Sequence, residues 1–326
     1  MHYGNPPWYI AEGLIRLRKR IDDARIPASK LDESLNIATW NIREFGRRPR
    51  LEASVYFIAE ILNQFDLIAL TELRDNLDDL KRVMARLGPE WDIVYSDFTG
   101  DWGGNDERIA YLFDRRMVRF TGLAAEADPP RKKNDAGEYV AEQSWWRPPY
   151  MASFEAGNFD FVVVTAHIRW GDRIAERVAA LQLLHDWVVR RRNEKFVVDR
   201  DFILMGDFNI PNRDHDAYRA LTGDGQTLHL PDSLLGVAGT NLSQRNCYDQ
   251  ILHSPTAIST FSGTGGALDF YQENWESLYP DSSHSPNGKQ AFTYELSDHL
   301  PLWLQLRTEI NDERLATLAL HREQGT

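Results

Sequence analysis

The stretch DFILMGDFN, residues 201–209, carries the strongest fold signal in this chain of 326 residues. A short apolar run ends abruptly in a glycine and then in polar side chains, which is typical of a strand buried on both faces. Three further stretches follow the same plan, namely LNIATWNI at 35–42, DLIALTE at 66–72 and FDFVVVTAH at 159–167. Apolar residues at helical spacing follow two of these strands, within residues 51–62 and 178–188. This alternation of strands and helices predicts an α/β fold.

Polar side chains stand at the ends of the predicted strands, including the later candidates YDQILHS and HLPLWLQL. They are Asn41, Glu72, His167, Asp207, Asn209, Asp249, Asp298 and His299. Because ligand sites of α/β sheets gather at strand ends, we expect these side chains to form one site. Carboxylate and amide oxygens suit Mg²⁺, Mn²⁺ or Ca²⁺, and the imidazoles can act as acid and base near neutral pH. Taken singly, each residue has an ordinary explanation as a turn residue, a helix cap or a core histidine.

The ordered motifs resemble a known family. They are WNIREFG at 40–46, DLIALTELRDN at 66–76, ERIAYLF at 107–113, VVTAH at 163–167, ILMGDFN at 203–209, NCYDQIL at 246–252 and SDHLP at 297–301. Together they resemble the endonuclease/exonuclease/phosphatase superfamily, and most of all its deoxyribonuclease I branch, over roughly residues 35–307. The resemblance implies an α/β fold in the form of a four-layer sandwich, with two packed mixed β-sheets flanked by helices.

The resemblance also implies a role for each site residue. The metal ligands are expected to be Glu72, Asn41 and Asp298. The catalytic residues are expected to be His167 with its carboxylate partner Glu107, His299 with its partner Asp249, and the pair Asp207 and Asn209. The implied cofactor is Mg²⁺ or Mn²⁺, with Ca²⁺ as a third candidate. Branches of the superfamily differ in whether the residue matching His299 or the one matching Asp207 is the base, and the sequence leaves this open.

Three arginines resemble substrate contacts, namely Arg74, Arg108 and Arg147. Arg74 matches an arginine that contacts the DNA minor groove, with a surface salt bridge as the alternative. A basic cluster follows Asn41 and consists of Arg43, Arg47, Arg48 and Arg50, which either line a phosphate track or form a solvated loop. The neighbouring Trp145 and Trp146 either stack on bases or anchor a loop.

Two features near Glu107 bear on the substrate. The loop Trp102-Gly103-Gly104 is our candidate for a substrate-facing tip. Two positions before Glu107, the deoxyribonuclease I branch usually has a tyrosine that stacks on a sugar, and this chain has Asn105. The paired cysteines of the secreted members are also absent, which points to an intracellular relative with a substrate or partner of its own.

The charge and cysteine content set broader bounds. The net charge is −12, but residues 1–50 carry ten Lys/Arg against six Asp/Glu, so charge alone does not exclude a polyanionic substrate. The single cysteine, Cys247, excludes an internal disulfide, and the N-terminus lacks the apolar segment of a secretory signal. We therefore expect a cytoplasmic location. The sequence contains no run of eighteen apolar residues, so we expect no transmembrane helix.

Residues 8–25 predict an amphipathic helix whose apolar stripe consists of Ile10, Leu14, Leu17 and Ile21. Its basic face consists of Arg16, Arg18, Lys19 and Arg20. The stripe is expected to pack on its own domain, with a partner, self-association or a membrane surface as alternatives. The predicted organisation is a helical extension and linker at 1–34, a catalytic domain at 35–307 and a tail at 308–326.

The predicted activity is divalent-metal-dependent hydrolysis of phosphodiester bonds, with DNA nicking as the first choice. A phosphatase or phosphodiesterase with the same core and a smaller substrate, such as an inositol phosphate or a phospholipid headgroup, is the first alternative. An inactive nucleic-acid-binding module is the second. Because every core position of the motif set is filled, the sequence offers nothing in favour of an inactive module.

Overall fold

The computed structural model describes residues 1–98, 106–141, 143–171, 173–256 and 259–323. The helices in these ranges are α1 Trp8–Asp23, α2 Glu52–Leu62, α3 Asp78–Leu87, α4 Ile174–Arg192, α5 Asp216–Thr222, α6 Lys289–Glu295 and α7 Asn311–Glu323. The strands are β1 Ser34–Phe45, β2 Leu67–Leu73, β3 Trp91–Tyr95, β4 Arg108–Asp114, β5 Arg119–Glu126, β6 Arg131–Lys133, β7 Tyr139–Ala141, β8 Tyr150–Ala156, β9 Phe159–Thr165, β10 Phe202–Asp207, β11 Asp249–His253, β12 Gly265–Ala267 and β13 Leu302–Arg307.

The long strands form two mixed sheets. The larger sheet has the order β12-β13-β1-β2-β4-β3, and the smaller sheet has the order β11-β10-β9-β8-β5. Each sheet has one central parallel pair, β1 with β2 and β9 with β10, and the other neighbours run antiparallel. The short strands β6 and β7 form a separate hairpin.

Side-chain alternation along the strands explains the layers. One set of alternate apolar residues packs between the two sheets and includes Ile37, Leu67, Ala69, Val163, Ile203 and Met205. The other set on the larger sheet packs with α1, α2 and α3 and includes Ala38, Trp40, Ile68 and Leu70. The other set on the smaller sheet packs with α4 and α5 and includes Val162, Val164 and Leu204. Because both faces of each central strand are buried, the strands read as continuous apolar runs.

The predicted four-layer α/β sandwich is confirmed, with helices outside two packed mixed sheets. Two segments without an apolar run or a helical stripe in the sequence contain regular structure. Residues 121–147 include most of β5 and the hairpin β6–β7, and residues 259–295 include β12, α6 and three short 3₁₀ turns. The strand β5 lies at a sheet edge and is largely exposed, so it lacks the apolar run that identified the central strands.

The predicted N-terminal helix is α1, and it packs on its own domain. Its apolar stripe is buried in the same core as α2 and the turn Trp275–Leu278. Gly13 makes the close approach, since a Cβ there would lie 2.3 Å from the carbonyl oxygen of Leu278 and 2.5 Å from the Phe57 ring. That apolar stripe is therefore not available to a partner subunit or a membrane surface. In the described part of the chain, no helix is both long and apolar enough to cross a membrane.

The predicted basic face of α1 needs one correction, because Arg20 is buried. Its guanidinium donates hydrogen bonds to the carbonyl oxygens of Phe270, Tyr271 and Asn274, at 2.6, 2.9 and 2.6 Å. It also donates to the Ser277 hydroxyl at 2.6 Å. Arg20 therefore ties α1 to the segment 270–277 through three backbone carbonyls and one serine hydroxyl.

Candidate active site

Strand direction gathers the site at one edge of both sheets. Asn41 and Glu72 both lie toward the carboxyl ends of their strands. Because β1 and β2 are parallel, these two residues lie at the same edge of the sheet. In the smaller sheet β9 and β10 are parallel, so His167 follows β9 beside Asp207, the last residue of β10. The two sheets face each other across their shared core, which brings these four side chains to one place.

The antiparallel neighbours of these strands begin at the same edge of the sheets. This explains the positions of the other predicted catalytic residues. Glu107 directly precedes β4, which pairs with β2. Asp249 opens β11, where it pairs with Asp207 of β10. His299 precedes β13, which pairs with β1. The predicted catalytic residues therefore come from the carboxyl end of each parallel strand and the amino end of its antiparallel neighbour.

The sequence placed Asn41 at the end of its strand, but β1 continues to Phe45. The β1–β2 pairing shifts register between Asn41 and Phe45, and the β2–β4 pairing shifts near Leu73. Glu44 and Glu72 have left-handed backbones, with φ of 45° and 62°. Such irregularities redirect side chains and cluster at functional sites. Here they aim the Glu72 carboxylate at Asn41 and at the backbone N–H of Glu44.

Asp207 lies at the centre of the cluster. Its Oδ2 atom accepts a hydrogen bond from Asn41 Nδ2 at 2.9 Å. The same oxygen lies 3.6 Å from His167 Nε2 and 3.7 Å from His299 Nε2. Its other oxygen, Oδ1, accepts from the backbone N–H of Asn209 at 2.9 Å. Both predicted catalytic imidazoles therefore converge on one buried carboxylate oxygen.

Gly206 lets Asp207 reach this position. Its φ is +155°, and a Cβ there would lie 2.3 Å from the carbonyl oxygen of Ala166. Asn209 follows with a left-handed backbone, φ 52°, and donates from Nδ2 to the carbonyl oxygen of Ile168 at 2.7 Å. The GDFN motif is thus fastened to the segment that carries His167.

His167 is oriented by Glu107. Its Nδ1 lies 2.7 Å from Glu107 Oε2, and both side chains are buried. Burial lowers the pKa of His167, but the charge and hydrogen bond of Glu107 outweigh burial, so the pKa lies above its usual value. A carboxylate at Nδ1 fixes the tautomer and leaves Nε2 directed toward Asp207.

His299 forms a second pair of the same kind. Its Nδ1 lies 2.8 Å from Oδ2 of the fully buried Asp249. Burial lowers the pKa of His299, yet the charges of Asp249 and Asp207 and the hydrogen bond of Asp249 raise it to about 10. The Asp249 backbone N–H donates to Thr240 Oγ1 at 3.1 Å, which holds the strand start in place.

Ser297, which the sequence did not single out, links Asn41 of β1 to His299. Its hydroxyl donates to the carbonyl oxygen of Asn41 and accepts from the backbone N–H of His299 at 2.9 Å. Ser297 is fully buried, and Trp40 donates from Nε1 to the His299 carbonyl oxygen at 2.9 Å. The serine of the SDHLP motif was visible in the sequence, but nothing there showed that its hydroxyl would link β1 to the segment before β13.

A cation site fits beside Asp207. Asn41 Nδ2 donates to Glu72 Oε1 and Asp207 Oδ2, both at 2.9 Å. Among the described residues, the buried Asn41 Oδ1 has no hydrogen-bond partner. Two carboxylates and an unpartnered amide oxygen are a donor set for a hard divalent cation. A second grouping joins Asp207, Asp249 and His299, with one donor atom each within 4.8 Å of one another. In that grouping Asp249 and His299 already bond each other.

Asp298, the third predicted metal ligand, stands further out. Its side chain is nearly half exposed and lies 3.6 Å from the guanidinium of Arg43. Its backbone carbonyl oxygen accepts from the N–H of Leu242 at 3.1 Å. The structure places Asp298 beside His299, and its role as a metal ligand stays a prediction.

The three predicted substrate arginines have different surroundings. Arg147 donates to Glu107 Oε1 at 3.0 Å and so lies directly beside the His167 pair. Arg108 packs over the Phe98 ring at 4.8 Å, and its Nη1 lies 3.4 Å from Asp97 Oδ1. Arg74 is buried and donates to Glu44 at 3.0 Å, so a surface salt bridge does not describe it. Substrate contact by all three stays a prediction.

Three arginines of the basic cluster after Asn41 have different surroundings. Arg43 and Arg48 both stack on the Tyr294 ring, at 4.0 and 4.3 Å, near the mouth of the site. Arg50 is buried and donates to the Arg43 carbonyl oxygen, so it cannot line a phosphate track. The predicted tip 102–104 and Asn105 lie outside the described residues.

Comparison with known proteins identifies the family and the fold. The model of the Endonuclease/Exonuclease/phosphatase family matches residues 38–299. A deoxyribonuclease of Thioalkalivibrio sp. is 30% identical over 260 residues, which are 75% of this chain and 64% of that protein. Deoxyribonuclease-1 of Equus caballus is 24% identical over 285 residues, 84% of this chain and 92% of that protein. An endonuclease/exonuclease/phosphatase family protein from Bacteroides thetaiotaomicron has a similar fold, with a TM-score of 0.58 and 19% identity. It matches 84% of this chain and 98% of that chain.

These relatives confirm the predicted resemblance to deoxyribonucleases of the deoxyribonuclease I-like branch. The chain spans 64% of the length of the Thioalkalivibrio protein, so that protein's whole activity does not transfer with the match. The family match runs from β1 to His299 and includes every member of the cluster around Asp207. The chain therefore belongs to the endonuclease/exonuclease/phosphatase family of hydrolases.

Proposed function

We propose that this protein is a divalent-metal-dependent DNA endonuclease that nicks DNA. One observation carries the proposal, namely that Nε2 of His167 and Nε2 of His299 converge on Oδ2 of Asp207. Each imidazole is held from behind by its own buried carboxylate, Glu107 or Asp249. Hydrolysis of a phosphodiester needs one group that takes a proton from water and another that gives a proton to the leaving oxygen.

The residues divide this work as follows. A protonated imidazole, favoured by the raised pKa of His167 and His299, can donate from Nε2 to the leaving oxygen. Asp207 lies between the two imidazoles and can orient the attacking water or accept its proton. Asn41 and Asn209 hold the two oxygens of Asp207 in place, so this carboxylate keeps one geometry. Whether Asp207 or His299 takes the proton stays open.

The cation site that we propose is formed by Glu72, Asn41 and Asp207, with Asp298 as a further ligand. Mg²⁺ or Mn²⁺ is the proposed ion, because the donors are oxygens and the cluster contains several carboxylates close together. A divalent cation, when bound, neutralises the phosphate oxygens and the charge that develops on them. The amide of Asn41 bonds to both Glu72 and Asp207 and so keeps these two carboxylates at a fixed separation.

DNA is the proposed substrate because the two curated relatives are deoxyribonucleases and the site carries cationic groups at its rim. Arg147 lies beside His167, and Arg43 lies beside Asp298. Both can contact phosphates on either side of the scissile bond. A cytoplasmic location stays a prediction, and self-association through the N-terminal helix is not proposed again, because the apolar stripe of α1 is buried in its own domain.

A substrate panel tests the proposal. The purified chain with Mg²⁺ is offered supercoiled plasmid, single-stranded DNA, RNA, bis-p-nitrophenyl phosphate and a sugar or inositol phosphomonoester. We expect cleavage of DNA and no release of phosphate from the monoester. Monoester hydrolysis without cleavage of nucleic acid would assign the site to the phosphatase alternative. Tight DNA binding without cleavage in Mg²⁺, Mn²⁺ or Ca²⁺ would support the inactive binding module.

The metal assignment predicts that Glu72→Gln weakens Mn²⁺ binding by about 10-fold or more, because a carboxylate oxygen of the proposed set loses its charge. Isothermal titration of the metal-stripped protein measures this without any need for turnover. Glu90→Gln is the matched control, since Glu90 is an exposed glutamate in the turn before β3. Equal affinities in Glu72→Gln and the unaltered chain would move the cation to the grouping of Asp207, Asp249 and His299.

A further inference from the structure

A cavity of about 190 Å³ opens directly beside the catalytic cluster. Its walls are the segment before β8, the segment after β9 and the start of α4, and they include Trp146, Arg147, His167, Arg169, Trp170 and Arg177. The described lining also contains Arg173 and Glu176, so four arginines face one glutamate. The cavity is thus aromatic, cationic and in contact with one of the two catalytic histidines.

Two tryptophans of this cavity are exposed, although burial of such large rings is the rule. Trp146 is 49% exposed and Trp170 is 52% exposed. Their neighbour Trp145 behaves differently, because it is buried, donates from Nε1 to the Ala180 carbonyl oxygen and packs edge-on against Trp187. Trp145 therefore anchors the segment, and its anchoring holds Trp146 at the surface.

Each exposed indole is held by an arginine. The guanidinium of Arg169 lies 4.3 Å over the Trp146 ring, and that of Arg177 lies 4.3 Å over the Trp170 ring. Arg177 is itself buried and donates to the Asn209 carbonyl oxygen at 2.9 Å. Trp170 is therefore fixed by a buried arginine before any ligand arrives, and binding on it costs little side-chain entropy.

The cavity connects with the chemistry on two sides. Trp170 packs edge-on against Tyr248 at 5.4 Å, and Tyr248 lies 5.7 Å from the His299 ring. Arg147 lines the cavity and also donates to Glu107, the partner of His167. A group seated on Trp170 would therefore be separated from His299 by the Tyr248 ring, and Arg147 borders both the cavity and the His167 pair.

We propose that this cavity binds an unpaired nucleobase next to the scissile phosphate, stacked on Trp146 and Trp170. A paired base is stacked inside its duplex and cannot enter a cavity between two loops, so the bound base must be splayed out or single-stranded. Stacking on aromatic rings tolerates any base, and arginine planes add to it. This inference rests on the proposed nuclease function and names the DNA that it cuts best, which is a strand with locally unpaired bases.

The test measures binding of two strands that differ only in their bases. One is a fluorescein-labelled oligodeoxythymidylate, and the other is a strand of equal length with abasic residues throughout. Anisotropy is recorded with Mg²⁺ in the His299→Ala background, so that the strands stay intact. We expect the strand with bases to bind at least about 5-fold more tightly, since each stacked base contributes measurably. A duplex of the same length has its bases paired, so it should show little of the gain in affinity that the bases give the single strand.

The variants are Trp146→Ala and Trp170→Ala, with Trp146→Phe and Trp170→Phe as conservative replacements. Each alanine variant is expected to lower the advantage of the strand with bases by about 5-fold or more, and each phenylalanine variant should keep most of it. Trp8→Ala is the matched control, because Trp8 is a 63% exposed tryptophan on α1. It should bind both strands like the parent.

Each contrary outcome has its own meaning. Equal binding of the two strands, or full retention of the advantage in both alanine variants, would overturn the base-stacking inference and leave the nuclease proposal standing. Failure of every strand and of duplex DNA to bind would overturn the nuclease proposal, and the inference with it.

Discussion

Replacing His167 or His299 with alanine is expected to lower kcat for DNA cleavage by about 10²-fold or more. Both imidazoles approach the same oxygen of Asp207, so each loss removes one of the two proton-transfer groups. The measurement is the initial rate of plasmid nicking at saturating DNA and Mg²⁺. The matched control is His284→Ala, because His284 also pairs with an aspartate, Asp281 at 3.1 Å, but is exposed in a 3₁₀ turn. That variant should cleave at the normal rate.

The carboxylate partners refine this prediction. Glu107→Gln and Asp249→Asn keep a hydrogen-bonding group at Nδ1 of each histidine but remove its charge. We expect a smaller loss of kcat than in the histidine variants, since orientation is kept while the pKa of the imidazole falls. Circular dichroism and melting curves verify that each variant folds. Normal turnover in a folded His167→Ala or His299→Ala variant would remove that histidine from the mechanism.

The second large effect concerns α1. Deleting residues 1–25 is expected to leave a chain that melts far below the full-length protein or does not fold. The deletion exposes the surface that Ile10, Leu14, Leu17 and Ile21 cover, and burial of each such side chain contributes about 1.5–3 kcal/mol. Their sum is similar to the total stability of an ordinary protein, about 5–15 kcal/mol. The deletion also removes the hydrogen bonds by which Arg20 holds the segment 270–277.

A point variant makes the same test in a chain that still folds. Leu17→Ala should cost about 2–5 kcal/mol, because Leu17 is fully buried in the core. The matched control is Ile15→Ala on the opposite face of α1, where the side chain is 59% exposed and the expected change is within about 0.5 kcal/mol. Thermal unfolding with light scattering separates the alternatives. Unchanged melting of Leu17→Ala together with loss of an oligomer would show that α1 serves assembly instead.

The sequence predicted the central strands well, because β1, β2, β9 and β10 are buried on both faces and read as apolar runs. It also indicated side chains that the structure brings together, since Asn41, Glu72, His167 and Asp207 each stand where a buried run turns polar, and their roles stay predictions. The edge strand β5 was missed for the converse reason, because its residues are mostly exposed and carry no apolar run. The hairpin β6–β7 is fully exposed and has no core signal at all.

The geometry of the site depends on contacts between distant segments, and the sequence alone could not give it. The register shifts at Asn41 and near Leu73 arise from pairing between β1, β2 and β4. The bridge made by Ser297 joins residues 256 positions apart. The burial of Arg20 and Arg50 likewise depends on segments that meet only in the folded chain, which is why both were assigned to exposed basic surfaces.

If Asp207 and its two imidazoles form the hydrolytic centre of a metal-dependent nuclease, plasmid nicking must depend on both the carboxylate and the metal. The decisive experiment is nicking of supercoiled plasmid by the purified chain and by Asp207→Asn, each with Mg²⁺ and with excess EDTA. We expect conversion to nicked circles by the unaltered chain with Mg²⁺ only, and a loss of at least about 10²-fold in Asp207→Asn. Nicking at the normal rate by a folded Asp207→Asn variant, or undiminished nicking in EDTA, would contradict it.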